Sequence, residues 1–239
     1  MAWLAVSFFL VALCYSSVGF GGGSSYTAIL AWQGVESAVI RQVSLLCNLV
    51  VVVIGGLAGW KRIKGGLIVP LLVGAIPAVY FAARWRLLDE TFFLVLALAL
   101  AVAGILLFVT VPEAKELRKI PTISLLVLGA ALGALAGLTG IGGGIYLAPV
   151  LYLMRAGKAH EVAAVATCFI FVNSAVGFSV ISSQEGVSVL REFLWLPLAV
   201  ALGGLFGARL LQGRFHEGMI RKVTGGLVLL VAVRLMFRL

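Results

Sequence analysis

Long apolar runs separated by short polar connections dominate this chain of 239 residues. Several of these runs are close to the ~20 residues that an α-helix needs to cross the hydrocarbon core of a bilayer. They are Ala38 to Trp60, Gly66 to Ala83, Phe92 to Val111, Val162 to Ser182, Phe193 to Ala208 and Val223 to Leu235. The pattern predicts an all-α integral membrane protein that crosses the bilayer several times.

Composition and charge support this interpretation. Hydrophobic residues make up 62% of the chain and charged residues only 11%, whereas a soluble domain carries roughly 25% charged residues. The net charge of +9 arises from short clusters of Lys and Arg between the apolar runs. Such placement is typical of loops that orient a membrane protein, and it argues against a nucleic-acid-binding surface.

Two runs of three consecutive glycines interrupt the apolar pattern, one in each half of the chain. The first is Gly21 to Gly23, within "VGFGGGSSYTAIL", and the second is Gly142 to Gly144, within "TGIGGGIYLAPVL". Glycine weakens a helix, and a break in backbone pairing is tolerated in a membrane only against protein or a water-filled cavity. Each half is therefore expected to contain two short apolar pieces flanking a glycine loop, followed by three full spans.

The glycine runs belong to an internal repeat. Gly19 to Leu30 aligns with Gly140 to Leu151 at a constant offset of 121 residues. With four more residues in the second connection, the alignment then pairs Gln42 with Thr167 and Asn48 with Asn173. Repeats of this kind are typical of secondary transporters. We expect one transmembrane transporter domain over 1–239, with a first repeat at 1–112, a linker at 113–120 and a second repeat at 121–239.

The distribution of basic residues predicts how the short pieces lie, because cytoplasmic loops carry the excess of Lys and Arg. If each glycine-broken pair returns to the side it entered, twelve of the eighteen basic residues share one side. The twelve are Lys61, Arg62, Lys64, Lys115, Arg118, Lys119, Arg155, Lys158, Arg209, Arg214, Arg221 and Lys222. A single crossing by each pair would divide the basic residues about evenly, so the paired arrangement is preferred.

The paired arrangement has two consequences for topology. The second repeat is inverted relative to the first, and both termini lie on the non-cytoplasmic side of the inner (plasma) membrane. Charge counting does not distinguish re-entrant hairpins from pairs of short spans.

The helix that starts after each glycine run offers unpaired backbone N–H groups and the positive end of its dipole. Such an end can bind an anion without a cationic side chain, and glycine lets the ligand approach the backbone. Two loops related by inversion would meet near the midplane and form one anion site. The alternative is that the glycines only permit close helix packing. If they form a site, Gly143→Val should lose binding more completely than Gly137→Ala.

Polar residues near the glycine runs are further candidates. Arg41 and Asn48 share one face of a predicted helix; an arginine there lines a cavity, pairs with a carbonyl or extends to the headgroups. Asn48 and Asn173 either contact substrate or bond neighbouring helices. Glu161, at the entry of a helix, either caps it or takes up protons. The residues assigned to substrate binding are Gly21, Gly22, Gly23, Ser24, Ser25, Arg41, Gln42, Asn48, Gly142, Gly143, Gly144, Tyr146, Thr167 and Asn173.

Segments of the second half resemble the sulfite exporter family TauE/SafE, also called the four-toluene-sulfonate uptake permease family. They are "GLTGIGGGIYLAPVLYLM", "AVATCFIFVNSAVGF" and "GGLFGARLLQGRFHEGMIRKVTGGLVLLVAVRLM". The first half is a more divergent copy, with Ala28 opposite Pro149. The resemblance covers essentially the whole chain and implies a membrane transporter of small sulfur-containing or organic anions, such as sulfite or sulfonates.

Sequence signatures of enzymes and of ATP-driven transport are absent, including HExxH and GxxxxGK[ST]. We therefore expect no catalytic residues, no cofactor and no metal. A secondary anion transporter is the preferred function, with an anion channel, a membrane-embedded enzyme or an assembly partner as alternatives. The expected partners are a small anion and the lipid bilayer. Coupling to a proton or sodium gradient, homo-oligomerisation, substrate identity and the direction of transport stay open.

Overall fold

The structure, a computed structural model, describes residues 2–18, 21–108, 116–187, 190–210 and 217–237. Within these ranges the chain is helical apart from short connections. The first half contains α1 (Ala2–Val18), α2 (Gly23–Trp32), α3 (Ser37–Gly56), α4 (Gly65–Arg84) and α5 (Asp89–Phe108). The second half contains α6 (Thr122–Thr139), α7 (Gly144–Leu153), α8 (Ala159–Glu185), α9 (Leu190–Phe193), α10 (Trp195–Leu210) and α11 (Glu217–Met236). The predicted all-α architecture is confirmed.

Five helices of the described ranges are long and apolar enough to cross a membrane: α3, α4, α5, α6 and α8. Their lengths and hydropathy confirm a multi-pass membrane protein. The apolar run from Ala38 to Trp60 is not one continuous α-helix, because α3 ends at Gly56 and a 3₁₀ turn, Leu57–Arg62, follows. Two adjacent glycines, Gly55 and Gly56, lower the helix propensity at this point.

Each glycine run separates a long helix from a short one, which differs from the expected pair of short pieces. The lengths are 17 and 10 residues in the first half and 18 and 10 residues in the second. At 1.5 Å per residue, α2 and α7 are about 15 Å long, roughly half the thickness of the hydrocarbon core. The longer member of each pair packs closely along a neighbouring helix.

Small residues form that packing, and the packed helices run parallel. Gly129, Gly133 and Gly137 of α6 face Leu71, Ala75 and Val79 of α4, where an added Cβ would lie no more than 2.8 Å from the carbonyl oxygens. Gly203 and Gly207 of α10 meet the carbonyl groups of Phe9 and Leu13 of α1 in the same way. Such close approach is a common basis of helix association in membranes. Since α1 corresponds to α6 and α4 to α10, the packing repeats as the sequence does.

The equivalent helices α3 and α8, in contrast, run antiparallel. Three contacts define this direction: Gln42 with Gly186, Asn48 with Ser174, and Gly56 with Thr167. An inverted repeat requires equivalent helices to be antiparallel, whereas a single crossing by each broken pair would make them parallel. The observed direction is the one that an inverted repeat requires, and the orientation of the repeats in the bilayer stays a prediction.

The centre of the bundle is formed by α3 and α8. In their apolar windows 61% of the residues are buried, against 39% for α4, α5 and α6. Large apolar side chains on the outer helices, such as Val69, Phe81 and Ile105, are exposed and suit contact with lipid. Because α3 carries Arg41 and Asn48 and α8 carries Asn173, the main polar candidates lie in the middle of the molecule.

Candidate functional site

The two glycine loops touch each other between the central helices. A Cβ added to Gly23, the first residue of α2, would lie 2.5 Å from the carbonyl oxygen of Ile141 in the second loop. The two backbones therefore approach without a side chain between them, which glycine permits. This contact brings the starts of α2 and α7 to one place.

The second loop has the more unusual backbone. Gly140, Gly142 and Gly143 have φ angles of +77°, +80° and +81°, in the left-handed region that costs an L-residue about 1–2 kcal/mol. Gly22, the residue before α2, has a φ of −91°, which any residue adopts. The second loop thus requires glycine for its conformation, while the first requires it for space.

Asn48 lies where the loops meet and provides a hydrogen-bond acceptor for the first N–H group of α2. Its Oδ1 accepts a hydrogen bond from the backbone N–H of Gly23 at 3.1 Å. Its Nδ2 donates to Oγ of Ser174 on α8, also at 3.1 Å. An added Cβ at Gly21 or Gly142 would collide with this amide. Asn48 therefore caps one broken helix and bonds the two halves together.

Asn173, the equivalent of Asn48 in the repeat, has no such partners. The residue is fully buried, at 0% exposure, yet neither Oδ1 nor Nδ2 makes a hydrogen bond. Its Nδ2 would lie 3.5 Å from a Cβ at Gly143, so the amide is next to the second loop. Among the described residues, the backbone N–H groups of Gly144 and Ile145 also have no hydrogen-bond acceptor.

Unpaired donors of this kind are unusual in a protein interior, where most buried polar groups are hydrogen-bonded. Here the side-chain amide of Asn173 and the first N–H groups of α7 lie at the same loop. A helix start with free N–H groups favours negative charge. The arrangement is suited to an oxyanion, which could accept several of these hydrogen bonds at once.

Arg41 is buried beside the second loop. Its guanidinium donates to the carbonyl oxygens of Ala83 at 2.7 Å and Gly137 at 2.9 Å. Its backbone lies against Gly140, where an added Cβ would be 2.8 Å from the Arg41 Cα. Nε of Arg41 has no hydrogen-bond partner. Of the roles considered from the sequence, pairing with carbonyls is the one observed.

Among the residues whose side-chain burial the structure describes, Arg41 is also the one charged residue that is buried. The other buried polar residues there carry hydroxyl or amide groups. They are Ser16, Ser24, Ser25, Thr27, Gln42, Ser44, Asn48, Thr139, Thr167, Asn173, Ser174 and Thr224. These described buried residues combine neutral hydrogen-bonding groups with the positive charge of Arg41, which favours an anion over a cation.

Some predicted residues serve the ends of helices instead of the loops. Gln42 donates through Nε2 to the carbonyl of Gly186, at 2.7 Å, just beyond α8. Thr167 donates its hydroxyl to the carbonyl of Ala163, at 2.8 Å. Glu161 accepts the N–H of Lys158 at 2.8 Å and caps α8. The structure thus places Gln42 and Thr167 at opposite ends of the α3–α8 contact, apart from the junction of the loops.

The hydroxyl residues after the glycine runs differ between the halves. Oγ of Ser25 lies 3.2 Å from the hydroxyl of Tyr15, which donates to Oγ1 of Thr224 at 2.7 Å. Ser24 is buried in the first turn of α2. In the second half, Tyr146 donates its hydroxyl to the carbonyl of Ala99, at 2.9 Å, and so ties α7 to α5.

Sequence reasoning missed Ser174 and Tyr15 as partners of the predicted residues. Ser174 directly follows Asn173, but only the antiparallel register of α3 and α8 brings it to Asn48. Tyr15 is a polar residue near the end of an apolar helix, and that position was the available signal. Ser44, one turn before Asn48 on α3, has a buried hydroxyl without a partner.

Broken helices whose starts converge between full spans define a class of polytopic membrane protein in which transport sites lie at the breaks. Residues 4–235 match the profile of the sulfite exporter TauE/SafE family, and the chain belongs to that family. It is 29% identical over 252 aligned positions to "Probable membrane transporter protein y4hK" of Sinorhizobium fredii, across 98% of this chain and 97% of that protein. No solved structure matches the chain. These findings identify a membrane transporter.

Proposed function

We propose that the protein is a secondary transporter of small organic or sulfur-containing anions, such as sulfite and sulfonates. The observation that supports this most is the unpartnered, fully buried amide of Asn173 beside the unpaired N–H groups at the start of α7. The name of the family refers to the export of sulfite, which is a small oxyanion. The unpaired hydrogen-bond donors and the family name both support an oxyanion as the ligand.

In the proposed site, the anion accepts hydrogen bonds from Nδ2 of Asn173 and from the N–H groups of Gly144 and Ile145. A hydrogen bond to a charged group contributes about 1.5–3 kcal/mol, and the dipole of α7 adds roughly 0.3–1 kcal/mol. Because Gly23 packs directly against Ile141, an anion there also lies next to the first loop. The two glycine runs then form one site between them.

Arg41 adds the positive charge. Its guanidinium is held by the carbonyl groups of Ala83 and Gly137, so it is fixed near the second loop without being part of a buried ion pair. A positive charge in a poorly solvated interior attracts an anion over several ångströms. We assign Arg41 the role of electrostatic attraction, and Asn173 and the loop backbone the role of direct contact.

The inverted arrangement of the two repeats belongs to the same proposal. It supports alternating access, in which the site between the loops opens to one side of the bilayer and then to the other. The cytoplasmic side is assigned to the loops around Lys61–Lys64 and Lys115–Lys119, and both termini to the opposite side. A proton or a sodium ion as the coupling ion, and assembly into a homo-oligomer, are compatible with this scheme.

A binding experiment on the purified protein tests the site. Sulfite, thiosulfate, methanesulfonate and acetate are titrated while the melting temperature is followed, since a ligand at 100 times its Kd stabilises the folded state by about 2.7 kcal/mol. At least one of the sulfur oxyanions should raise the melting temperature of the wild type. Asn173→Leu should weaken binding of that anion at least tenfold, which corresponds to about 1.4 kcal/mol.

The matched control is Gln184→Leu, which removes an amide from the exposed end of the same helix and should bind as the wild type does. The site is wrong if Asn173→Leu folds and binds the anion with unchanged affinity. Uptake into vesicles distinguishes transport modes, because a carrier saturates with substrate and a channel passes current far faster.

A further inference from the structure

The amide of Asn173 lacks a hydrogen-bond partner at both of its ends. Oδ1, which can only accept, and Nδ2, which can only donate, are each buried and unpaired. Buried polar groups in this state are unstable relative to paired ones. A group that satisfies this amide must therefore offer one acceptor and one donor. The requirement holds whichever way the amide is turned, because neither end has a partner.

Asn48, the equivalent residue of the first repeat, shows how such an amide is satisfied by protein. Its Oδ1 accepts from the N–H of Gly23 and its Nδ2 donates to Ser174, both at 3.1 Å. One donor and one acceptor thus complete it. Asn173 receives neither from the part of the chain that the structure describes.

Most hydroxyl groups around the second loop are already engaged. Ser174 accepts the bond from the asparagine of the first repeat. Thr139 and Tyr146 donate to backbone carbonyls of α6 and α5, at 2.7 Å and 2.9 Å. Ser44 has an unpaired hydroxyl but makes no bond to Asn173. The missing donor and acceptor are therefore expected from a bound molecule.

A fully deprotonated oxyanion meets only half of this requirement. Its oxygens can accept bonds from Nδ2 of Asn173 and from the N–H groups of Gly144 and Ile145, but it has no hydrogen to give to Oδ1. An anion that keeps one O–H group donates to Oδ1 while its other oxygens accept. Hydrogen bonds that involve a charged partner are stronger than neutral ones, so this form of the anion uses the whole amide.

The side chains around α8 do not carry the proton in its place. Among the described residues, the buried titratable groups on the helices packed against α8 are Arg41 and Cys47 of α3 and Tyr146 of α7. The carboxylates of α8 itself, Glu161 and Glu185, lie at its two ends in ion pairs. Histidine, aspartate and glutamate, which ordinarily titrate below neutral pH, are absent from the buried residues that the structure describes.

We infer that the species bound at the second loop is a monoanion that retains one O–H group, such as hydrogen sulfite protonated on oxygen, and that Asn173 selects it by accepting the hydrogen bond of that group. The inference rests on the proposed function for the site and for the class of cargo. Transport of this species moves one proton with each anion, and no titrating side chain is needed.

Methylphosphonate and methanesulfonate are a matched pair of ligands for testing this in the purified, complete protein. Each has a methyl group and three oxygens around a tetrahedral centre, and the methylphosphonate monoanion differs from methanesulfonate by a proton on one oxygen. Methylphosphonate loses that proton near neutral pH, whereas methanesulfonate has none to lose. Isothermal titration calorimetry measures both affinities at about pH 6 and about pH 9, above the ordinary pKa range of carboxylates.

At the lower pH, methylphosphonate should bind at least about tenfold more tightly than methanesulfonate, which corresponds to about 1.4 kcal/mol. At the higher pH this preference should disappear, because the ligand no longer has an O–H group. The affinity for methanesulfonate reports any effect of pH on the protein itself, since this ligand does not titrate in the range.

Variants test whether the preference comes from the amide. Asn173→Leu should bind both ligands weakly and with similar affinity at the lower pH. Asn173→Ala, which only removes atoms, replaces it if the leucine variant does not fold. Gln184→Leu, which removes an amide from the exposed end of the same helix, is the matched control and should keep the preference of the wild type.

Three outcomes overturn the inference. Equal affinities at the lower pH mean that Oδ1 of Asn173 is satisfied by water or by the N–H of Gly144. Tighter binding of methylphosphonate at the higher pH means that the site prefers a dianion. A preference that persists without the Asn173 amide comes from another group. None of these results contradicts the proposed function, which fails only if anions do not bind or if Asn173→Leu binds them normally.

Discussion

The two glycine runs are nearly identical in sequence but differ in what holds the first turn of the helix that follows. At the start of α2, the N–H of Gly23 is bonded to Asn48, and Asn48 is bonded in turn to Ser174. At the start of α7, the N–H of Gly144 and the amide of Asn173 are both unpaired. One repeat thus pairs the first N–H of its helix and the neighbouring asparagine with protein groups, and the other leaves both unpaired.

The two asparagines also differ in the residue that follows each in the repeat. Asn48 donates to the hydroxyl of Ser174 across the α3–α8 contact. In the repeat alignment, the residue that corresponds to Ser174 is Leu49, which has no hydroxyl. The first asparagine is therefore bonded on both sides, whereas Asn173 has no hydrogen-bond partner.

The largest expected difference between the loops concerns their backbone. Gly143→Val places a β-branched residue at a φ of +81° and a Cβ 3.0 Å from the ring of Phe169, at a cost of about 1–2 kcal/mol for the φ alone. We expect anion binding to fall more than tenfold, measured by titration with the best-binding oxyanion. Gly226→Val is the control, since its Cβ would meet nothing within 4 Å. Normal binding by a folded Gly143→Val protein would reduce the second loop to a packing device.

The two asparagines should differ in their effect on stability. Asn48→Leu leaves the buried N–H of Gly23 and the hydroxyl of Ser174 without their observed partner, which should lower the free energy of unfolding by roughly 1–3 kcal/mol. Asn173→Leu replaces an amide that has no partner, so stability without ligand should be unchanged or higher. Melting temperatures in anion-free buffer measure both. Equal destabilisation by the two substitutions would contradict the distinction drawn between the loops.

The smallest effect is expected from labels that test the inversion of the repeats, since neither label should alter activity. Cysteines introduced as Ile63→Cys and Leu239→Cys should react with an impermeant maleimide from opposite sides of sealed vesicles. The twelve-to-six division of basic residues and the antiparallel α3–α8 contact lead to this expectation. Reaction of both from one side would exclude the inverted arrangement.

Individual glycines show where sequence reasoning succeeds and where it stops. Gly21 to Gly23 and Gly142 to Gly144 stand out because no helix of a membrane protein needs three glycines, and the structure brings both runs together. Gly137 lies outside the glycine runs in the sequence, so Gly137→Ala is expected to affect anion binding less than Gly143→Val does. In the structure an added Cβ at Gly137 would lie 2.8 Å from the carbonyl of Val79, so this position is a close helix contact and a poor control.

The sequence by itself determined the class, the helical architecture and the family of this protein. The physical reason is that the hydrocarbon core of a bilayer offers no hydrogen-bond partners, so long apolar segments must form helices. A break in such a helix needs residues that tolerate it, such as glycine, and these are visible in the sequence. The mean hydropathy of +1.17 and the repeated glycine runs were therefore sufficient.

Only the tertiary structure decided which polar residues meet. Asn48 and Asn173 occupy equivalent places in the sequence, and so do Ser25 and Tyr146, yet each pair has divergent surroundings. Whether a buried amide is bonded depends on the register between α3 and α8, and that register is set by close packing of many side chains distant in sequence. The order of apolar and polar residues along one helix does not specify that register, so the partner of each hydrogen-bond donor is seen only in the folded bundle.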